Sequence, residues 1–364
     1  MSTKHVAAIP LALVVMLTCA SSFALDDVGT FSIVAHDSVT GELGVAVQSK
    51  AFGVGEAVAW AEAGAGAVAT QASTNQSFGP RGLELLKAGL GSEQVLRLLL
   101  ESDPGRENRQ LGVVDTDGNA FNFTGTQCLS WAGGVTGKGY ACQGNILASE
   151  DVVTAMVEAF TGTEGELAER LLQALVAAQQ AGGDKRGMQS AALLVVRPSE
   201  EYPEYRYRYV DLRVEDHTDP INELIRLYRI HERSDLLQAH IRYAEHYDSE
   251  GRTGLAERER NIVGKMLKKA LSEETDEAGY LNNLAWFCAT GDVFLEDALE
   301  AATRAVALQP DAAYILDTLA EAYFRLGMKD EAVETIQRAI QLDPESQYYK
   351  DQLTRFNSGS EPEN

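Results

Sequence analysis

The stretch Thr30-Phe31-Ser32-Ile33-Val34-Ala35-His36-Asp37 decides how this chain is read, and Leu43-Gly44-Val45-Ala46-Val47-Gln48-Ser49-Lys50 completes it. Ile33 and Val34 are strand formers, and Asp37-Ser38-Val39-Thr40-Gly41 is a turn, so the two runs predict a hairpin. Strand alternation puts Thr30 and Ser32 on one face. The hairpin opens with a hydroxyl residue. If the Gly29–Thr30 bond were cut, Thr30 would own a free α-amine, of pKa about 8, to act as base for its own hydroxyl. Taken alone, Thr30 reads equally as the plain first residue of a strand.

Upstream, Lys4 and His5 form a polar start, residues 6–19 are apolar, and Ser22-Phe23-Ala24 has the small-x-small form of a cleavage site. The apolar run is shorter than the roughly 20 residues a spanning helix needs. The pattern predicts a signal peptide over 1–24 and a short pro-segment or linker at 25–29. The mature protein is then exported to the periplasm or beyond, with no stable membrane insertion after cleavage. The chain has 364 residues, enough for two domains, with 45% hydrophobic and 23% charged residues, a globular balance. A formal net charge of −23 argues against nucleic acid or an anionic membrane as partner. In an oxidising compartment Cys128 and Cys142 are candidates for a disulfide, whereas Cys288 sits in a helical pattern as a small core residue.

Downstream, residues 64–70 read as a buried strand. Two helices follow, starting near Pro80 and Ser92, then a hairpin over 110–124. A Gly-rich loop spans 131–139 and leads to a short strand ending at Asn145. Two more helices and two strands close the first domain at residue 218. Hairpins with paired helices between them predict two antiparallel sheets between helical layers. From 219 to 358 the pattern is helical. Leu281, Leu284, Ala285, Cys288, Ala298, Ala302, Ala305 and Pro310 repeat as Leu316, Leu319, Ala320, Tyr323, Ala332, Ile336, Ala339 and Pro344. The offset is 35 early and 34 later, so the first copy has one extra residue. This resembles the tetratricopeptide repeat, whose stacked helices present a concave face to a protein or peptide. Two repeats fall short of a self-sufficient stack, so the helices upstream must contribute. Residues 359–364 read as a disordered tail.

The first domain resembles the DUF1028 family, a domain of unknown function related in fold to N-terminal-nucleophile hydrolases. The resemblance rests on "TFSIVAHDSVTGELGVAV", "GAGAVATQASTNQSFGPRGLELL", "DPGRENRQLGVVD", "WAGGVTGKGYACQGNIL", "GGDKRGMQSAALLVVR" and "VDLRVEDHTDPINEL". It implies an α+β fold, the four-layer αββα sandwich, followed here by the all-α repeats. It also places Thr30 where the nucleophile of such hydrolases belongs, which makes an amidohydrolase or peptidase the first functional expectation. Lys50 is then the candidate cation beside the amine and Ser32 a helper hydroxyl. Asn145 is a candidate oxyanion donor and Asp184 an orienting acid, while Gln48, Asn75, Arg186 and Ser190 are candidate substrate contacts. Each has an ordinary structural alternative as a strand-end or loop residue. Gln48 stands where related hydrolases often carry an acid. No cofactor motif and no metal-ligand spacing is present, since the histidines are scattered. The alternative expectation is a non-catalytic envelope protein whose repeats recruit a partner. Related folds often assemble, which adds an expectation of a homo-oligomer.

Overall fold

The computed structural model describes residues 29–198, 208–273 and 276–359. The expected signal peptide, most of the expected pro-segment and residues 360–364 lie outside them.

The opening hairpin is present as β1 (Thr30–His36) and β2 (Leu43–Ser49), with Thr30 opposite Ser49 and His36 opposite Leu43. Asp37 closes the turn by accepting the amides of Val39 and Thr40. The short helix α1 (Val54–Val58) leads into β3 (Ala59–Glu62) and β4 (Gly66–Ala72). Helices α2 (Phe78–Lys87) and α3 (Ser92–Glu101) precede the hairpin β5 (Arg109–Asp115) and β6 (Ala120–Thr124). Then come β7 (Gly133–Gly137), β8 (Tyr140–Asn145), α4 (Asp151–Gly162), α5 (Leu167–Gln180), β9 (Ser190–Val196) and β10 (Arg208–Val214). Strands β3 and β7 go beyond the sequence expectation, which placed one apolar strand near 64–70 and a loop at 131–139.

The strands form a six-stranded sheet, ordered β10-β9-β2-β1-β8-β7, and a four-stranded sheet, ordered β3-β4-β5-β6. The two sheets face each other through small apolar side chains: Val34, Val45 and Val47 on one, Ala67, Ala69 and Val114 on the other. On the outer face of the four-stranded sheet, Phe78, Leu83, Val95 and Leu99 of α2 and α3 pack on Val68, Leu111 and Val113. Helix α5 lies on the outer face of the larger sheet. A Cβ at Gly44 would sit 2.6 Å from Leu171 Cδ1, so glycine there permits the close approach. The observed architecture is a mixed α/β domain with two stacked sheets, helix pairs outside them, and β1 in the interior of the larger sheet.

The chain divides into compact units at Leu224/Ile225, inside α6 (Pro220–His231) rather than just ahead of it. The second unit is all-helical. A π-helical turn, Glu232–Leu236, joins α6 to α7 (Leu237–Ser249), and α8 (Thr253–Ser272) follows. The repeats are α9 (Ala278–Thr290), α10 (Leu295–Leu308), α11 (Ala313–Arg325) and α12 (Lys329–Leu342), and α13 (Gln347–Ser358) packs last. The upstream helices do join the stack: Leu237, Ala244, Val263 and Leu267 share a core with Leu281, Leu284 and Ala302. The extra residue of the first copy lies in its inter-helix loop, which is Gly291–Phe294 against Leu326–Met328 in the second. Glycine supplies the positive φ in the shorter loop, at Gly327, whereas Asp292 and Phe294 adopt it in the longer one. Phe294 then presses on α8 where a Cβ on Gly264 would meet its ring at 2.3 Å.

Candidate functional site around Thr30

Thr30 starts an interior strand and is fully buried. Ser49 faces it on one side and Asn145 on the other. Alternation turns Thr30, Ser32, Ser49, Gln143 and Asn145 toward the four-stranded sheet, which answers with Gln71 and Gln110. Ser32 Oγ donates to Gln71 Oε1 (2.5 Å), and Gln71 Nε2 donates to Gln110 Oε1 (2.8 Å) and to the Thr30 carbonyl (3.2 Å). Asn145 Nδ2 donates to Gln110 Oε1 (3.0 Å), and Gln143 Nε2 to Ser32 Oγ (2.8 Å). A seam of neutral amides and hydroxyls therefore stitches the two sheets where the apolar core ends. Gly112 makes room for it, since a Cβ there would lie 2.4 Å from Gln143 Oε1, an atom buried without a hydrogen-bond partner.

The carbonyl oxygen of Gly29, the group that acylates Thr30, receives two donors: Ser49 Oγ at 2.5 Å and Arg186 Nη2 at 3.0 Å. The Thr30 hydroxyl donates to Ser49 Oγ at 3.1 Å, so Thr30, Ser49 and the Gly29 carbonyl form one hydrogen-bonded line. Arg186 is aimed by Asp184, whose buried carboxylate takes Nε at 3.0 Å and Nη2 at 2.6 Å. Such a two-point grip fixes the guanidinium plane. Asp184 also accepts the amides of Lys50 (3.2 Å) and Arg186 (2.9 Å), which locks the loop to the end of β2. A Cβ at Gly29 would come 2.8 Å from Asp184 Oδ2, so the position ahead of Thr30 has no room for a side chain.

Of the expected site residues, Thr30, Ser32, Asn145, Asp184 and Arg186 are brought together. The others are not. Lys50 is exposed and its Nζ donates to the Met188 carbonyl (3.1 Å); the cation at the Gly29–Thr30 bond is Arg186 instead. Gln48 precedes Ser49 and so points to the opposite face of the sheet, where both its amide atoms are buried without partners. Asn75 holds the entry to α2, accepting the Ser77 amide (3.2 Å) and donating to Asp103 (3.3 Å). Ser190 pins the turn after β2 through the Ala51 carbonyl (2.5 Å) and the Val54 amide (3.1 Å).

The expected disulfide is absent: Cys128 and Cys142 are both free. Cys142 alternates with the seam residue Gln143 and so lies on the outer face of its sheet, while Cys128 Sγ contacts the Arg109 carbonyl at 3.3 Å on the other sheet. Burial pushes both thiols up. At the far end of β1, burial lowers His36 below its ordinary value. Ser49, Gln71 and Gln110 escaped sequence reasoning. Their signal was a polar residue on an otherwise apolar inward face. Among the described residues no group of three His, Cys, Asp or Glu side chains is placed to hold a metal ion.

The family model of DUF1028, a family of unknown function, matches residues 30–224, more than half of the chain. A tetratricopeptide-repeat model matches residues 313–346. A crystal structure of a protein from Silicibacter pomeroyi carrying the DUF1028 model is 36% identical, with a TM-score of 0.53, over 57% of this chain and 88% of its own. The NMR structure of the first TPR domain of human RPAP3 is 16% identical over 34% of this chain and 91% of its own, with a TM-score of 0.26. The crystal structure of the Sgt2 TPR domain from Aspergillus fumigatus is 24% identical over 33% of this chain and 85% of its own, with a TM-score of 0.25. No curated protein matches.

Proposed function

The chain belongs to the DUF1028 family of unknown function, and from its site we propose an amide hydrolase of the N-terminal-nucleophile type, with Thr30 as nucleophile once the Gly29–Thr30 bond is cut. The helix–sheet–sheet–helix stacking supports this reading, being the layering that such a sandwich requires. The observation that carries it is the doubly held Gly29 carbonyl with the Thr30 hydroxyl in the same line.

Donors fixed on a carbonyl oxygen stabilise the charge that develops there on attack, each by about 10²–10³ in rate. In the cut, Thr30 Oγ1 adds to the Gly29 carbonyl carbon, and its proton passes through Ser49 to the carbonyl oxygen. The tetrahedral carbon then expels the Thr30 nitrogen, which takes that proton back, leaving an ester. Water hydrolyses the ester to a Gly29 carboxylate and a free Thr30 amine and hydroxyl. Ser49 and Arg186 are then vacant to hold the carbonyl oxygen of a substrate amide, and the Thr30 amine serves as base. The apolar run and small-x-small site in residues 1–24 support an exported protein, which would act outside the cytoplasm.

Intact mass and N-terminal sequence of the purified protein test the reading. The expected chain begins at Thr30, and Thr30→Ala leaves the bond whole. A wild-type chain that keeps Gly29–Thr30 joined sinks it. The tetratricopeptide repeat suggests protein interaction. The competing reading is therefore a non-catalytic scaffold, favoured if Thr30→Ala keeps full biological function.

A further inference from the structure

The last helix, α13, sits on α11 and α12 through two kinds of contact. Phe356 is fully buried among Leu316, Ala320, Ala332, Ile336 and Ala339, and its ring lies 4.8 Å from that of Phe324. Beside this apolar contact is a pocket of charge. Glu321 of α11 holds Arg325 Nε at 2.8 Å through one oxygen and Arg355 of α13 through the other. Next to it, one turn earlier on α11, Asp317 is 5% exposed and its Oδ1 has no hydrogen-bond partner. Tyr348 and Gln352 of α13 close over it, linked to each other at 2.9 Å.

Two carboxylates thus share one buried site, and the Arg355 guanidinium is engaged by Glu321 through Nη2 and by Gln352 Oε1 through Nε (2.8 Å), with Nη1 buried and unbonded. Arg325 and Arg355 balance the two carboxylates in number, but neither is hydrogen-bonded to Asp317, so its ionised form would bury a charged Oδ1 that no donor meets, one turn from the Glu321 carboxylate. The charged and titratable groups around it are Glu321 and Arg325 on α11, and Tyr348, Tyr349 and Arg355 on α13. We propose that α13 is a detachable cap on the repeat stack, closed over a protonated Asp317 and loosened when that carboxyl ionises.

Burial, first of all, pushes Asp317 up to about 7, against an ordinary 3.8. When α13 is off, the carboxyl is wet and regains its ordinary value. The closed state therefore binds the extra proton between those values, and closure weakens as pH rises through them, levelling off above about 7. Opening should increase roughly thirtyfold from pH 5.5 to pH 8.5. The change falls within the range in which cellular and extracellular pH vary, and its effect is to expose the α11 face that α13 covers.

Hydrogen exchange of the α13 amides in the full chain, corrected for the intrinsic rate at each pH, tests this. In wild type, α13 protection should fall roughly thirtyfold over that range while α11 and α12 stay protected. Asp317→Asn, which mimics the neutral acid in shape, should make α13 protection independent of pH. Tyr348→Phe removes the hydroxyl that favours the ionised form and should move the midpoint to higher pH. Asp351→Asn, an exposed acid on α13 itself, should leave the wild-type profile. A flat wild-type profile overturns the proposal. So does protection that rises with pH, which would mean that ionised Asp317 captures Arg355, or a slope that survives Asp317→Asn.

Discussion

The seam at Thr30 and the charged cluster under α13 bury polar side chains by different means. In the α/β unit the seam at Thr30 is built from neutral groups, Ser32, Gln71, Gln110, Gln143 and Asn145, bonded to one another across two sheets. The ion pair beside the seam, Asp184 with Arg186, stands at its rim, and the buried pair Glu42 with Arg197 lies elsewhere in the same unit. In the helical unit acidic and basic side chains are buried together: His240 with Glu259 at 2.7 Å, and Asp317 and Glu321 with Arg325 and Arg355. Neutral hydrogen bonds do not change with protonation in the physiological range, so the seam holds its geometry as pH varies. Carboxylates crowded in a low-dielectric site do change. Fixed donors suit a site that must hold a carbonyl oxygen in one place, and titratable ones suit a contact that opens and closes.

Three substitutions break or sharpen this contrast. The largest effect is expected at Ser49. Ser49→Ala removes one of the two donors to the Gly29 carbonyl together with the relay from Thr30, and cleavage of Gly29–Thr30 should slow by about 10²–10³. The time course of intact mass after expression measures it, and an unchanged rate would remove Ser49 from the reaction. The next effect is on stability. In the Thr30→Ala background, where the bond stays whole, Arg186→Gln leaves the Asp184 carboxylate buried without its cation. Urea unfolding should show a loss of about 3 kcal/mol. A loss below about 0.5 kcal/mol would mean that the neutral seam alone holds this end of the domain. The smallest effect belongs to Gln71→Leu in the same background. It leaves the Ser32 hydroxyl without its acceptor and takes one of two donors from Gln110 Oε1, for about 1–3 kcal/mol. That loss should be equal at pH 6 and pH 8, and a pH-dependent loss would contradict the contrast.

Much of the fold was legible in the sequence. The hairpin β1–β2 announced itself by strand formers around an Asp-to-Gly turn, and the repeats by matched small residues ahead of Pro310 and Pro344. Strands β3 and β7 were not legible. Gly133-Gly134-Val135-Thr136-Gly137 has little strand preference of its own and is extended because β8 lies alongside it. At the site, Thr30, Asp184 and Arg186 stood out because a hydroxyl at a strand start and a charged Gly-flanked loop are local signals. That Ser49, and not Gln48 or Lys50, faces Thr30 is a matter of parity. Which of three successive residues faces Thr30 depends on pairing register, and a shift of one reverses the face. Gln71 and Gln110 become a pair only when two sheets meet, a relation that no single stretch of chain contains.

The hold on the Gly29 carbonyl also has a bearing on timing. One donor comes from a residue 20 positions along the chain and the other from one 157 positions along. A ribosome has to finish almost the whole α/β unit, and that unit has to close, before both can reach the same oxygen. A half-made or misfolded chain lacks the second donor altogether. On the proposed cleavage, the bond ahead of Thr30 would act as a built-in checkpoint: the state of that one peptide link would record whether the domain around it was ever completed.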